Sequence, residues 1–187
     1  MKSITLYLVV AGATYFNQLD RFQGWSGTPL TVAGVQASAA VGQQLADTPF
    51  EAAFASDTSR AVQTAQLILN AQPQAVKLQT LSALRAPFYG GFEGTERAAV
   101  WSGFATKLGY PSVPDFAADQ TPSELQTLLH DHDADGLAES GTEFWTRYQG
   151  AYKKSWQRRV TRDSATGRGF RNNADDSLPR NGQYGDP

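Results

Sequence analysis

The chain has 187 residues, of which 41% are hydrophobic and 11% aromatic, enough length and apolar content for one globular domain with its own core. A formal net charge of −2 gives no global attraction to nucleic acid or to a membrane surface, and no stretch approaches the ~20 apolar residues of a spanning helix. With no cysteine there is no disulfide, thiolate metal site or thiol nucleophile, a composition that suits the cytoplasm.

Ile4 to Val10 is apolar on both alternating sets of positions, which predicts a strand covered on both faces, central in a parallel sheet, rather than a signal peptide. It opens into Ala11-Gly12-Ala13-Thr14, and ligands gather at that end of the strands in open α/β sheets, so the site is expected to begin near residue 10. Thr31 is placed to cap a helix running to about Ala46, in which Gly34 and Gly42 allow close packing. Phe50 to Ala55 reads as a short buried strand. It ends in Ser56-Asp57-Thr58-Ser59-Arg60 and leads to a helix with Val62, Ala65 and Leu69 on one stripe. A short strand around Val76 to Leu78 completes a βαβ pattern.

Leu84 to Gly94 is a glycine-rich loop that leads into a helical insertion over about 95–138. Ala98 to Leu108 and Ser123 to His130 are its helix candidates, and Pro111, Pro114 and Pro122 punctuate it. Trp101, Phe104, Phe116, Trp145 and Tyr148 are expected to pack the insertion over the sheet. From Ser140 to about Trp156, Phe144, Tyr148 and Tyr152 recur at helical spacing, with Glu143 in the first turn. The domain is therefore placed at 1–156. Residues 157–187 hold six of the eleven arginines and only Val160, Phe170, Leu178 and Tyr184 as sizeable apolar groups, so the tail is expected to be disordered.

Arg60 stands out among residues able to carry chemistry. In the first turn of a helix the macrodipole disfavours a cation by up to about 1 kcal/mol, and a bound anion reverses that penalty. The alternative is a surface arginine paired with Asp57. His130 and His132, in His-Asp-His-Asp-Ala-Asp, superficially offer metal ligands, but positions two apart do not share a helical face, and a solvated helix end is the preferred reading. Phe22 and Trp25 either contact a ligand or, as is commoner for such aromatics, pack.

The stretch Leu6 to Thr31, with Asn17, Arg21-Phe22-Gln23-Gly24-Trp25 and Pro29-Leu30-Thr31, resembles the signature of the histidine phosphatase superfamily, the phosphoglycerate mutase-like proteins, whose first strand ends in Leu-Val-Arg-His-Gly-Glu-Thr. The resemblance implies an α/β fold, a mainly parallel sheet flanked by helices. It also implies a phosphohistidine route on phosphomonoesters with no metal or cofactor. Here the arginine position is Val10, the histidine position Ala11 and the glutamate position Ala13. Ser56 to Ala65 is similar to the family's Ser-Asp-Leu-x-Arg-Ala-x-x-Thr-Ala, which makes Arg60 the phosphoryl contact. The resemblance further implies phosphate binding by Gly12, Thr14, Asn17 and Arg21, with Thr14, Asn17 and Arg21 equally able to satisfy the loop's own backbone.

Leu84 to Gly94 resembles Leu-x-Glu-x-x-Phe-Gly-x-Phe-Glu-Gly, and in that register the proton donor is Ala86 while Glu93, a loop support, is retained. General acid catalysis is commonly worth about 10²–10⁴ in rate, and a methyl group supplies none of it. The second family histidine, on a strand expected soon after Trp156, has no counterpart, because no histidine follows His132. The fold is thus expected to be incomplete at its C-terminus, its last stretch being either a frame-shifted or a natural linker-like sequence. Three functions follow: a catalytically dead family member; a module that weakly binds inorganic phosphate or a small phosphorylated molecule through Arg60; or a residual hydrolase using Ser56 or Asp57.

Overall fold

A computed structural model of the chain describes residues 5–151. Four of the helices start where a hydroxyl accepts one of the first free N–H groups. Thr14 and Asn17 form a reciprocal capping box around a single turn, α1 (Tyr15–Gln18). Thr31 Oγ1 accepts the Gly34 N–H at 3.0 Å and opens α2 (Val32–Gln44), as its position predicts. Ser112 caps α5 (Val113–Ala118), after α4 (Arg97–Lys107), and Thr121 boxes with Glu124 to start α6 (Pro122–His132), with proline in the first turn. A last helical run covers 141–151.

Strand β1 (Ala53–Ala55) pairs in parallel with β2 (Leu78–Thr80), in register Ala53 to Leu78, and α3 (Ser59–Leu69) connects them, so one βαβ unit is present. β1 is shorter than its apolar run suggests, and β2 begins where its run was expected to end. Helix α3 buries Thr64 and Ile68 instead of the expected Val62, Ala65 and Leu69 stripe. The cause is α2. Its Gly42 lies so close that a Cβ there would sit 3.0 Å from the Ile68 Cα, and the face α2 covers decides burial. Gly34 likewise allows the carbonyl of Ala13 to approach its Cα.

The aromatic core is not where it was expected. Phe22 (2% exposed), Phe104, Ala105, Phe116 and Leu129 form it, with Tyr89, Phe92 and Trp101 packed around them. Helices α4 to α6 therefore close on the segments that carry Phe22 and Phe92, and no residue of β1 or β2 belongs to the cluster. Each buried ring contributes about 1.5–3 kcal/mol. Trp145 and Tyr148 pack instead with Phe144 on the 141–151 helix.

The largest correction concerns the first strand. Residues 5–10 join no ladder with the described residues, and Leu8 and Val10 are 81% and 88% exposed. An apolar run specifies a strand only where a neighbour supplies backbone partners, and among the described residues the contact of Tyr7 with Phe50, ring centroids 5.5 Å apart, is one of side chains. Amides 5–10 should exchange with solvent within about tenfold of an unstructured peptide, as mass-spectrometric hydrogen exchange can measure. Slow exchange would reveal a pairing segment. Ile4 and the expected tail, 157–187, lie outside the described residues.

Candidate phosphate-binding site

The site is built on the loop Gln23 to Ser26, which is gripped from both of its polar sides. The Glu93 carboxylate accepts the N–H groups of Gly24 (3.0 Å), Trp25 (2.9 Å) and Ser26 (3.1 Å), the Ser26 hydroxyl, and the Tyr89 N–H across its own turn. From the other side the Arg60 guanidinium donates to the carbonyls of Gly24 (2.8 Å), Ser26 (3.2 Å) and Gln23 (3.4 Å). Glu93 thus supports the loop, the role its motif implies. Gly24 is required here because a Cβ would collide with the Pro87 carbonyl and the Glu93 carboxylate. Burial pushes the Arg60 pKa down, while the charge of Glu93 and the nearby Tyr89 push it up. Burial in turn raises the Tyr89 phenol.

Arg60 does not pair with Asp57. That carboxylate is taken by Arg85, whose Nε and Nη2 each donate at 2.6 Å, and the hydrogen bond lowers the Asp57 pKa and raises that of Arg85. The Arg85 guanidinium also lies 4.6 Å from the centroid of the Trp25 ring, which stacks on Phe88 with centroids 4.8 Å apart. Phe22 is core, whereas Trp25 sits at the surface of the loop.

The other residues assigned to phosphate are engaged elsewhere. Thr14 is fully buried, its hydroxyl directed to Asn17 and Gln23, and Asn17 Oδ1 accepts the Thr14 N–H at 2.9 Å. The structure uses both to hold the turn. The Gly12 N–H donates to Thr64 Oγ1 at 3.0 Å, and Arg21 donates to the Gly94 carbonyl at 2.6 Å. Of the five residues, Arg60 alone donates to the backbone carbonyls of the Glu93-held loop. Val10 is exposed and Ala11 half-buried. Ala13, Tyr15, Asn17, Gln18, Thr31, Val32 and Ala33 line a shallow open groove beside α1.

The backbone at Ala86 is held from two sides. The Ala86 carbonyl accepts from the Trp25 indole N–H at 3.0 Å and from Arg147 at 3.2 Å. Arg147 also donates to the carbonyls of Ala83 and Arg85, and forms a fork with Glu139 at 2.7 Å through both Nε and Nη2. Glu139 in turn accepts the Phe88 N–H at 2.9 Å. Sequence reading missed Arg85, Arg147 and Glu139, since no local spacing signals that Arg85 meets a carboxylate 28 residues away, Glu139 an amide 51 residues away, or Arg147 a carbonyl 62 residues away.

Ser56 is buried, with its hydroxyl 2.8 Å from that of Thr58, and no base among the described residues is bonded to it. His130 Nδ1 lies 2.6 Å from the Ala138 carbonyl, and His132 Nδ1 3.0 Å from that of Leu128. Among the described residues no group of three His, Cys, Asp or Glu side chains converges as a metal site would require. Burial pushes the Asp133 carboxyl up, but N–H donors from Ala138, Leu137, Asp135 and Gly91 outweigh it and hold the pKa low.

A parallel βαβ unit with an arginine in the first turn of its helix, bonded to the Gln23 to Ser26 loop, belongs to an α/β protein of the phosphoglycerate mutase-like fold. The chain belongs to the histidine phosphatase superfamily, whose branch 1 family model matches residues 6–164. It is 36% identical over 110 residues to a 2,3-bisphosphoglycerate-dependent phosphoglycerate mutase 2 of Gloeobacter violaceus, covering 58% of this chain and 48% of that protein. It is 36% identical over 97 residues to the fructose-2,6-bisphosphatase TIGAR B of Danio rerio, covering 50% of this chain and 38% of that one. The crystal structure of phosphoglycerate mutase from Bacillus anthracis str. Sterne superposes with a TM-score of 0.73 at 29% identity, covering 85% of this chain and 68% of that chain. The chain spans about half the length of the curated relatives it matches.

Proposed function

We propose that this chain is a catalytically impaired member of its superfamily, descended from enzymes that hydrolyse or transfer phosphoryl groups of phosphomonoesters through phosphohistidine. One observation carries the reading: the positions that would hold the nucleophile, its neighbouring arginine and the acid are Ala11, Val10 and Ala86. Without imidazole no phosphorus–nitrogen bond forms, and without the acid the alkoxide leaves unprotonated. Removing a nucleophile costs about 10⁶ in kcat, so turnover of an aryl phosphate should stay at the buffer background. Turnover above about 0.1 s⁻¹, free of contaminating phosphatase, overturns the proposal; the ordinary enzyme range is about 1–10³ s⁻¹. The same reading places the chain in the cytoplasm, on its cysteine-free composition. Among the described residues no helix is long and apolar enough to cross a membrane.

Arg60 supports a second reading, weak binding of inorganic phosphate or a small phosphorylated molecule. Three of its five N–H donors reach loop carbonyls, and among the described residues no bond engages Nε or the second Nη1 hydrogen, which supports their use for an anion. Two charge-assisted bonds from one guanidinium supply about 3–4 kcal/mol, a millimolar dissociation constant. Arg60→Ala should abolish phosphate binding in a calorimetric titration, and equal affinity in both proteins removes Arg60 from the site.

A further inference from the structure

We propose that Asp57 is a built-in competitor for the anion, and that a phosphate oxyanion displaces it to recruit Arg85 as a second cation. The inference rests on the reading of Arg60 as the first cation and specifies how that site is regulated. Asp57 engages Arg85 through two parallel bonds of 2.6 Å, the fork geometry in which a guanidinium also receives two phosphate oxygens. The side chains are 28% and 33% exposed, so water and solutes reach the pair.

Both cations meet on one tripeptide. Arg60 bonds the carbonyls of Gly24 and Ser26, and Arg85 sits over the ring of the intervening Trp25. Asp57 follows β1 by two residues and precedes Arg60 by three, and through Arg85 it is tied to the Trp25 side of the same loop. Released from Asp57, Arg85 remains beside the loop through Trp25, so the anion gains a cation that is already in place. An anion that enters must therefore replace a carboxylate by its own oxygens, and the pair sets the affinity of the site.

The sign of the effect separates this role from a merely structural one. A structural ion pair loses stability on either substitution and leaves anion affinity unchanged or lowered by both. A competitor gives opposite signs. Full-length protein, its fold checked by far-ultraviolet circular dichroism, is titrated with inorganic phosphate at fixed ionic strength. Asp57→Asn and Asp57→Ala should each bind about fivefold more tightly than the wild type, because Arg85 is freed. Arg85→Gln should bind about fivefold more weakly, because the Asp57 carboxylate then faces the anion unneutralised. If both Asp57 variants match the wild type while Arg60→Ala abolishes binding, the competitor is refuted and the Arg60 site stands. If neither the wild type nor the Asp57 variants bind phosphate, the Arg60 reading fails and this inference fails with it.

Discussion

Histidine restored at Ala11 alone should leave aryl-phosphate turnover within about tenfold of background, since a nucleophile contributes only when its partners act with it. Two features of the structure limit the rescue. Val10, which would carry the arginine, is 88% exposed on a segment with no described ladder partner, so side chains grafted there have no rigid element to aim them. From Gly12 onward the backbone is fixed, by Thr64 on Gly12 and by the close approach of Ala13 to Gly34. The acid position is different. Ala86 lies in a loop whose carbonyl is bonded by Trp25 and Arg147, so a carboxyl at 86 would start from a held backbone.

Glutamate at Ala86 should therefore add part of the usual ~10²–10⁴ of general acid catalysis, but only once Val10→Arg and Ala11→His are both present. The measurement is steady-state hydrolysis of an aryl and an alkyl phosphate by Ala11→His, Val10→Arg/Ala11→His and the triple variant. The alkyl substrate should show the larger gain from residue 86, because its leaving group needs the proton. Turnover by Ala11→His alone above about 0.1 s⁻¹ would show that the remaining site is already assembled.

The parts of this molecule legible in its sequence are those specified within a few residues. Thr31 three residues before Gly34 gives α2, and Ser56 to Ala65 gives α3 and its arginine. Glu93 is recognisable as a loop support by its motif. The Thr14-x-x-Asn17 spacing carried the capping box in view, yet asparagine stands where the usual signature has glutamate or glutamine, and both residues were assigned to phosphate as well as to the loop. What could not be read was non-local. The buried face of α3 is chosen by Gly42 of α2, the core closes on loops because Phe22 inserts between Tyr89 and Trp101, and Asp57 belongs to Arg85 instead of its neighbour Arg60. Residues 5–10 have the pattern of a strand, and pattern supplies no hydrogen-bond partner.

Arg147→Ala should lower stability by about 2–4 kcal/mol, a little under the 3–5 typical when one member of a buried pair is removed, because Arg147 and Glu139 retain 19% and 16% side-chain exposure. The loss has three sources. The Glu139 carboxylate keeps the Phe88 N–H but loses its countercharge. The carbonyls of Ala83, Arg85 and Ala86 lose a shared donor that ties the glycine-rich loop to the 141–151 helix. The guanidinium, 5.4 Å from the centroid of Phe144 and 5.7 Å from that of Trp25, also leaves a gap between two rings. At ~2–4 °C per kcal/mol for a chain of this size, Tm should fall by about 5–15 °C in a calorimetric or circular-dichroism melt. Arg147→Lys tests the geometry: a lysine keeps the charge but cannot form the two-pronged bond to Glu139 or reach three carbonyls from one plane, so it should recover less than half of the loss. Full recovery by lysine would mean that charge alone fixes the loop. An unchanged Tm in Arg147→Ala would mean that Gln126, which donates to the Phe88 and Glu139 carbonyls, is sufficient to hold it.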